Sequence, residues 1–116
     1  HVRALRRSEK TERVVTTEYV LLELGNALSP PAWRSRMVAL ADVLRSDVNV
    51  TLVPASADLT DRGLALFGQR LDKSWSLTDC ISFVVMRDRG LTDALTADRH
   101  FEQAGFRALL ASDARE

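Results

Sequence analysis

The sequence predicts an α/β domain built on a mostly parallel sheet with helices on both faces. Three observations predict it. Short β-branched or alternating apolar runs occur at Arg13 to Thr16, Val48 to Val53, Ala94 to Thr96 and Phe106 to Leu110. Segments of helical period separate each run from the next, as parallel neighbours require. The chain has 116 residues without a repeat, linker or low-complexity tract, so residues 1–116 are expected to form a single domain.

The elements follow in order. His1 to Ser8 carries Val2 and Leu5 at i, i+3 spacing and reads as the tail of a helix. After the strand at Arg13 to Thr16, Thr17 to Leu28 repeats apolar residues at Val20, Leu21, Leu24 and Leu28. Pro30 and Pro31 end that helix. Ala32 to Arg45 is a second helix with Trp33, Met37, Leu40, Ala41 and Leu44 on one stripe. In Val48 to Val53, Val48, Val50 and Leu52 alternate with Asn49 and Thr51. Ser56 to Leu71 is helical, with Leu59, Leu64, Leu66, Phe67 and Leu71 among its apolar positions. Ser76 to Arg89 turns Leu77, Cys80, Ile81, Val84 and Val85 inward, and Gly90 closes it. A short helix over Asp98 to Ala104 joins the last two strands. The reading opens in a helix with no strand before it, and the first residue is His1 rather than Met. A first strand is therefore expected upstream of His1.

Composition bounds the function. Sixteen basic and sixteen acidic side chains cancel, which excludes a protein that holds nucleic acid by bulk charge alone. An enzyme that meets phosphates through bound metal ions remains open, because the ions bring their own positive charge. No apolar run approaches the ~20 residues of a membrane span. The single cysteine, Cys80, excludes an internal disulfide and a zinc-type pattern, and a reducing, cytoplasmic setting is expected.

Most of the carboxylates are expected on a solvated surface. Three stand apart. Glu23 lies inside a helix beside Val20, Leu24 and Ala27, roughly 140° around from Glu18. Glu18 suits the first turn, where a negative charge favours the helix dipole. Glu23 is either an edge residue paired with an arginine or a member of a site. Asp79 closes Ser76-Leu77-Thr78-Asp79, the spacing of a capping box, and an acid there is also placed to hold a cation. Asp98 follows the strand at Ala94 to Thr96, where parallel sheets collect ligands, and it also suits a helix cap. Thr96 is placed to donate to a neighbouring carboxylate. Three acids at one sheet mouth repel unless a cation gathers them. Oxygen ligands of this kind suit Mg²⁺ or Mn²⁺, and such sites hydrolyse phosphodiesters by activating water and stabilising the leaving oxygen.

Those residues carry a family resemblance. The segment from Thr16 to Leu24, TTEYVLLEL, resembles the second motif of PIN-domain ribonucleases. Ser76 to Phe83, SLTDCISF, resembles their third, and Leu95 to Phe101, LTADRHF, followed by Ala104-Gly105-Phe106, resembles their fourth. The match is best to VapC-type toxins of bacterial toxin–antitoxin pairs. It implies a three-layer α/β/α sandwich and a Mg²⁺- or Mn²⁺-dependent endoribonuclease. Glu23, Asp79 and Asp98 match its acidic positions, and Thr96 matches a frequent polar neighbour. A homodimer and a small antitoxin that covers the site are implied partners. The family pattern begins with a central strand ending in aspartate, which the chain does not show. The alternative is a catalytically impaired remnant that dimerises or engages an antitoxin.

Lys73 and Arg99 flank two acidic motifs and are candidates to meet RNA phosphates, although solvated surface charge is the more ordinary role. His100 is expected to pack on its helix or lie at the surface. Trp33 and Trp75 are expected to anchor packing rather than stack on bases. Cys80 fits a small buried apolar role. A flavodoxin-like regulatory domain is disfavoured, since the glycines form no phosphate loop and the only lysines are Lys10 and Lys73.

Overall fold

The computed structural model describes residues 13–110. The helix expected over 1–8 lies outside them. Strand β1 (Val14–Thr17) feeds directly into helix α1 (Glu18–Ala27). Thr17 makes the junction: its backbone is extended, and its hydroxyl accepts the Val20 N–H at 3.1 Å. Helix α1 ends at Ala27, before the prolines, and Pro31 opens helix α2 (Pro31–Ser46), where proline's missing N–H costs nothing.

Strand β2 (Val50–Val53) pairs parallel with β1, from Val14 beside Val50 to Thr17 beside Val53. It starts two residues later than the alternation suggested. Asp47 instead folds a turn, its carboxylate accepting from Asn49 N at 2.8 Å and its carbonyl from Val50 N at 3.0 Å. Val48 stays exposed.

Helices α3 (Ala57–Gln69) and α4 (Leu77–Asp88) form the most extensive contact between elements. Gly63 makes their approach possible: a Cβ there would overlap the Ile81 side chain. Strands β3 (Asp93–Ala94) and β4 (Arg107–Ala108) pair parallel, with helix α5 (His100–Gln103) between them in sequence. The last strand ends at Ala108 rather than Leu110, since residues 109–110 are helical. Among the described residues the strands form two separate parallel pairs, β1 with β2 and β3 with β4, not one continuous sheet.

Two glycines turn helices back into strands. Gly90, at φ 66°, and Gly105, at φ 96°, each follow a helix in the left-handed region. Leu91 N then bonds Met86 O at 2.8 Å, and Phe106 N bonds Phe101 O at 2.9 Å. With Gly90 N to Arg87 O and Gly105 N to Glu102 O, each end is a Schellman cap.

The core lies under α4. Val20 and Leu24 of α1 meet Trp75, Cys80, Phe83, Met86, Leu91 and Phe101 there. Phe83 is the hub, edge-on to Trp75 at 5.0 Å and to Phe101 at 4.8 Å. Burial pushes the Cys80 thiol upward, and the nearby Asp79 charge adds to that, so it behaves as a packed apolar group. Four apolar residues of the expected helical patterns are exposed. Trp33 is 44% exposed, with Arg36 stacked over its ring at 4.9 Å. Leu64, Phe67 and Leu71 of the expected Ser56 to Leu71 helix also face solvent, and Leu71 lies beyond the end of α3.

Candidate active site

Asp79 is held before anything is bound. It occupies the first turn of α4 and is only 1% exposed. Its Oδ2 accepts the Ser76 N–H at 3.0 Å, while Ser76 Oγ accepts the Asp79 N–H at 3.0 Å. This is the capping box expected from the sequence. A buried carboxylate needs such donors, and a helix N-terminus supplies them. The segment before it is tied down as well. Trp75 Nε1 donates to Gln103 Oε1 at 3.0 Å, and the Arg70 guanidinium lies 5.0 Å over the Trp75 ring.

Asp98 arrives from the other parallel pair. Leaving β3, the chain turns at Thr96, which is buried and whose Oγ1 accepts the Asp98 N–H at 3.0 Å. Thr96 thus anchors the backbone that presents Asp98. Asp98 Oδ1 in turn accepts the His100 N–H at 2.9 Å, a local turn that opens α5. The Asp98 side chain is 15% exposed.

Asp79 and Asp98 meet around a residue that sequence reasoning misplaced. His100 was expected on a packing face or at the surface. Its Nδ1 instead lies 3.2 Å from Asp79 Oδ2 and 3.2 Å from Asp98 Oδ1. The ring's Nε2 lies 3.4 Å from Ser74 Oγ. One ligand atom each from Asp79, Asp98 and His100 fall within 4.8 Å of one another, a spacing that fits a single cation. The donor chemistry fits too, since carboxylate oxygens and imidazole both ligate divalent ions.

Glu23 is placed differently. It is half-buried on α1, which packs against α4, but it is not part of that compact group. Glu18, assigned only a dipole role from the sequence, has a longer reach: its Oε1 accepts the Ala55 N–H at 2.7 Å. That bond ties the loop after β2 to the start of α1. Lys73 and Arg99 each meet an acid near in sequence, Lys73 with Asp72 at 3.9 Å and Arg99 with Glu102 at 3.6 Å. Arg99 is well exposed. Ser82, one turn beyond Asp79, is buried with a hydroxyl that has no hydrogen-bond partner among the described residues.

Known proteins resemble this chain in sequence and in fold. The family model of the PIN domain matches residues 1–107. The 23S rRNA-specific endonuclease VapC20, from two strains of Mycobacterium tuberculosis, is 30% identical over 99 residues. That match covers 85% of this chain and 75% of the relative. The crystal structure of Mycobacterium tuberculosis VapC20, a sarcin–ricin loop cleaving toxin, superposes with a TM-score of 0.73 at 30% identity. It covers 81% of this chain and 72% of that one. The likeness supplies the α/β/α frame in which the two parallel pairs, the α4 cap and the turn after β3 take their places. The chain therefore belongs to the PIN-domain family, as a metal-dependent endoribonuclease of the VapC toxin type.

Proposed function

We propose that Asp79 and Asp98 hold the divalent cation of this nuclease, Mg²⁺ or Mn²⁺, and that Glu23 on α1 completes the acidic face that meets the RNA. One observation carries the reading. Two carboxylates from separate elements converge within the reach of a single ion, and local caps position both. When bound, such a cation supplies activation of water and charge stabilisation at the departing oxygen. The protein's own part is positional. The Ser76 cap orients Asp79, the Thr96 hydroxyl fixes the backbone that presents Asp98, and the core beneath α4 keeps the first from drifting. Arg99, exposed at the start of α5, and Lys73, in the segment before α4, are the cations we assign to the RNA backbone.

The relatives are named for 23S rRNA and the sarcin–ricin loop, so a ribosomal RNA loop is the substrate class we assign. The same likeness supports a cytoplasmic toxin that forms a homodimer and is silenced by an antitoxin over the site. No helix among the described residues is long and apolar enough to cross a membrane.

The test is cleavage of a sarcin–ricin loop RNA with and without Mg²⁺ or Mn²⁺. Asp98→Asn and Asp79→Asn keep an oxygen for each cap and remove the charge. Each is expected to reduce cleavage at least about 100-fold, and chelation should abolish it. Thr96→Val, which loses only the hydroxyl under Asp98, should cost about 10–100-fold in cation affinity. Cleavage that survives chelation, or survives Asp98→Asn in a folded sample, refutes the assignment.

A further inference from the structure

We infer that His100 gives an imidazole nitrogen to the cation at Asp79 and Asp98, so that the site prefers Mn²⁺ or Co²⁺ to Mg²⁺. The inference rests on the nuclease reading for the existence of the cation, and adds to it a ligand that the acidic pattern does not contain.

Three features of the site carry it. First, Nδ1 sits 3.2 Å from an oxygen of each aspartate. Ligands about 2.1 Å from a six-coordinate ion stand about 3.0 Å apart along an edge of the polyhedron, so this spacing matches neighbouring ligands of one ion. Second, the two oxygens facing Nδ1 already accept backbone N–H groups, from Ser76 and from His100 itself. Each carboxylate is thus oriented without help from the ring, as ligating carboxylates usually are. Third, Ser74 Oγ lies at the far nitrogen, Nε2, at 3.4 Å. A histidine that ligates through one nitrogen commonly steers its ring through the other in this way. With the Nε2 hydrogen toward Ser74, the Nδ1 lone pair is directed to the same point as the two carboxylate oxygens, where one divalent cation can take all three atoms as ligands. A hydrogen on Nδ1 is the competing account.

The chemical consequence is a mixed nitrogen–oxygen donor set. Mg²⁺ favours oxygen ligands and retained water. Affinity at nitrogen–oxygen sites rises from Mn²⁺ through Co²⁺, and imidazole ligation strengthens that trend. His100 would therefore set metal preference, while the two aspartates set the site itself.

Pulsed electron paramagnetic resonance of Mn²⁺ bound to the full chain tests this directly. The chain has two histidines, so His1→Ala is built into every sample to leave His100 as the sole imidazole. The expected spectrum shows the coupling of a directly bound ¹⁴N nucleus. His100→Gln, which keeps a polar side chain without an imidazole, should remove the coupling and weaken Mn²⁺ about 10–100-fold. Competition by Mg²⁺ should change much less. The parent spectrum decides the question even where His100→Gln folds poorly. Bound Mn²⁺ without nitrogen coupling overturns the role of His100 and leaves the nuclease reading standing. A folded chain whose Mn²⁺ binding is unaffected by Asp79→Asn and Asp98→Asn together overturns both.

Discussion

Helices α4 and α2 stand at opposite ends of a scale of burial. In α4 the run from Asp79 to Met86 is buried throughout, eight residues without a break. In α2, sixteen residues long, none is buried. Met37, Leu40, Ala41 and Leu44 are half-covered, while Val38 and Val43 on the other face lie open. The difference maps onto the proposed site. Helix α4 carries Asp79 at its first turn, with α1, α3 and the aromatic cluster packed around it. A run buried on every face cannot shift without repacking its neighbours. Helix α2 covers β2 and part of α1 and carries none of the clustered site residues. Rigidity is concentrated beneath the carboxylate that we propose holds the cation.

The strongest way to break this comparison is to delete one large side chain from each region. Phe83 is fully buried against Trp75, Phe101 and Phe106. Phe83→Ala should cost about 3–5 kcal/mol, a large share of the roughly 5–15 kcal/mol that stabilises a domain. Trp33→Ala removes an exposed ring whose specific contact is the Arg36 stack, worth about 0.5–1 kcal/mol. Urea unfolding of the two variants measures the ratio. Equal losses would show that α2 is packed as tightly as α4.

A second pair sharpens the comparison within one helix. Both Gly63 and Gly68 lie in α3, where alanine is intrinsically better by about 1 kcal/mol. At Gly68 an added Cβ meets nothing within 4 Å, so Gly68→Ala should stabilise by up to that amount. At Gly63 the added Cβ collides with Ile81 of α4. Overpacking of about 1–3 kcal/mol should outweigh the propensity gain and leave Gly63→Ala destabilised. Opposite signs from chemically identical changes would locate the tight seam on the α4 side. A stabilising Gly63→Ala would mean the two helices can part without cost.

The sequence showed local devices well and tertiary ones poorly. The capping box at Ser76 and Asp79, the Gly90 cap and the inward set Cys80, Ile81, Val84 and Val85, with Leu77 only half-buried, are readable because each depends on residues within a turn or two. The position of Asp98 just after a strand was also readable. Trp33 was misread because helical period identifies an apolar stripe but not whether another element lies against it. Strand β2 starts late because a side chain, that of Asp47, offers the backbone another partner. His100 escaped notice because its meaning depends on Asp79, 21 residues away. The available clue was its position two residues after Asp98, where its own N–H caps that acid and turns its ring toward the site. Glu23 shows the opposite limit: sequence marks it as unusual, but separation along the chain says nothing of how far it stands from Asp79.

The smallest expected effect lies at the exposed far end of α4. Arg62 of α3 donates to both oxygens of Asp88 at 2.6 Å, and also approaches Asp58 at 3.5 Å. The bonds from Arg62 hold the Asp88 carboxyl below its ordinary range against a smaller opposing effect of desolvation, and they hold the arginine above its own. A depressed carboxyl stabilises the fold above its unfolded value of about 3.9, and that contribution is lost as pH falls through the lower folded value. The arginine stays charged throughout, so the acid limb belongs to Asp88. Both side chains are about two-fifths exposed, at 44% and 43%, so solvent screening keeps the gain small and Asp58 preserves a second partner for Arg62. Asp88→Asn should therefore lower stability slightly at neutral pH and match the parent in strong acid, with the gap narrowing in high salt. Urea midpoints from pH 2 to 7 at two salt concentrations measure this. A gap that persists undiminished below pH 3 would mean that Asp88 acts through packing on α4 instead of through its charge, and that the helix is as enclosed at its end as it is at the carboxylate it carries.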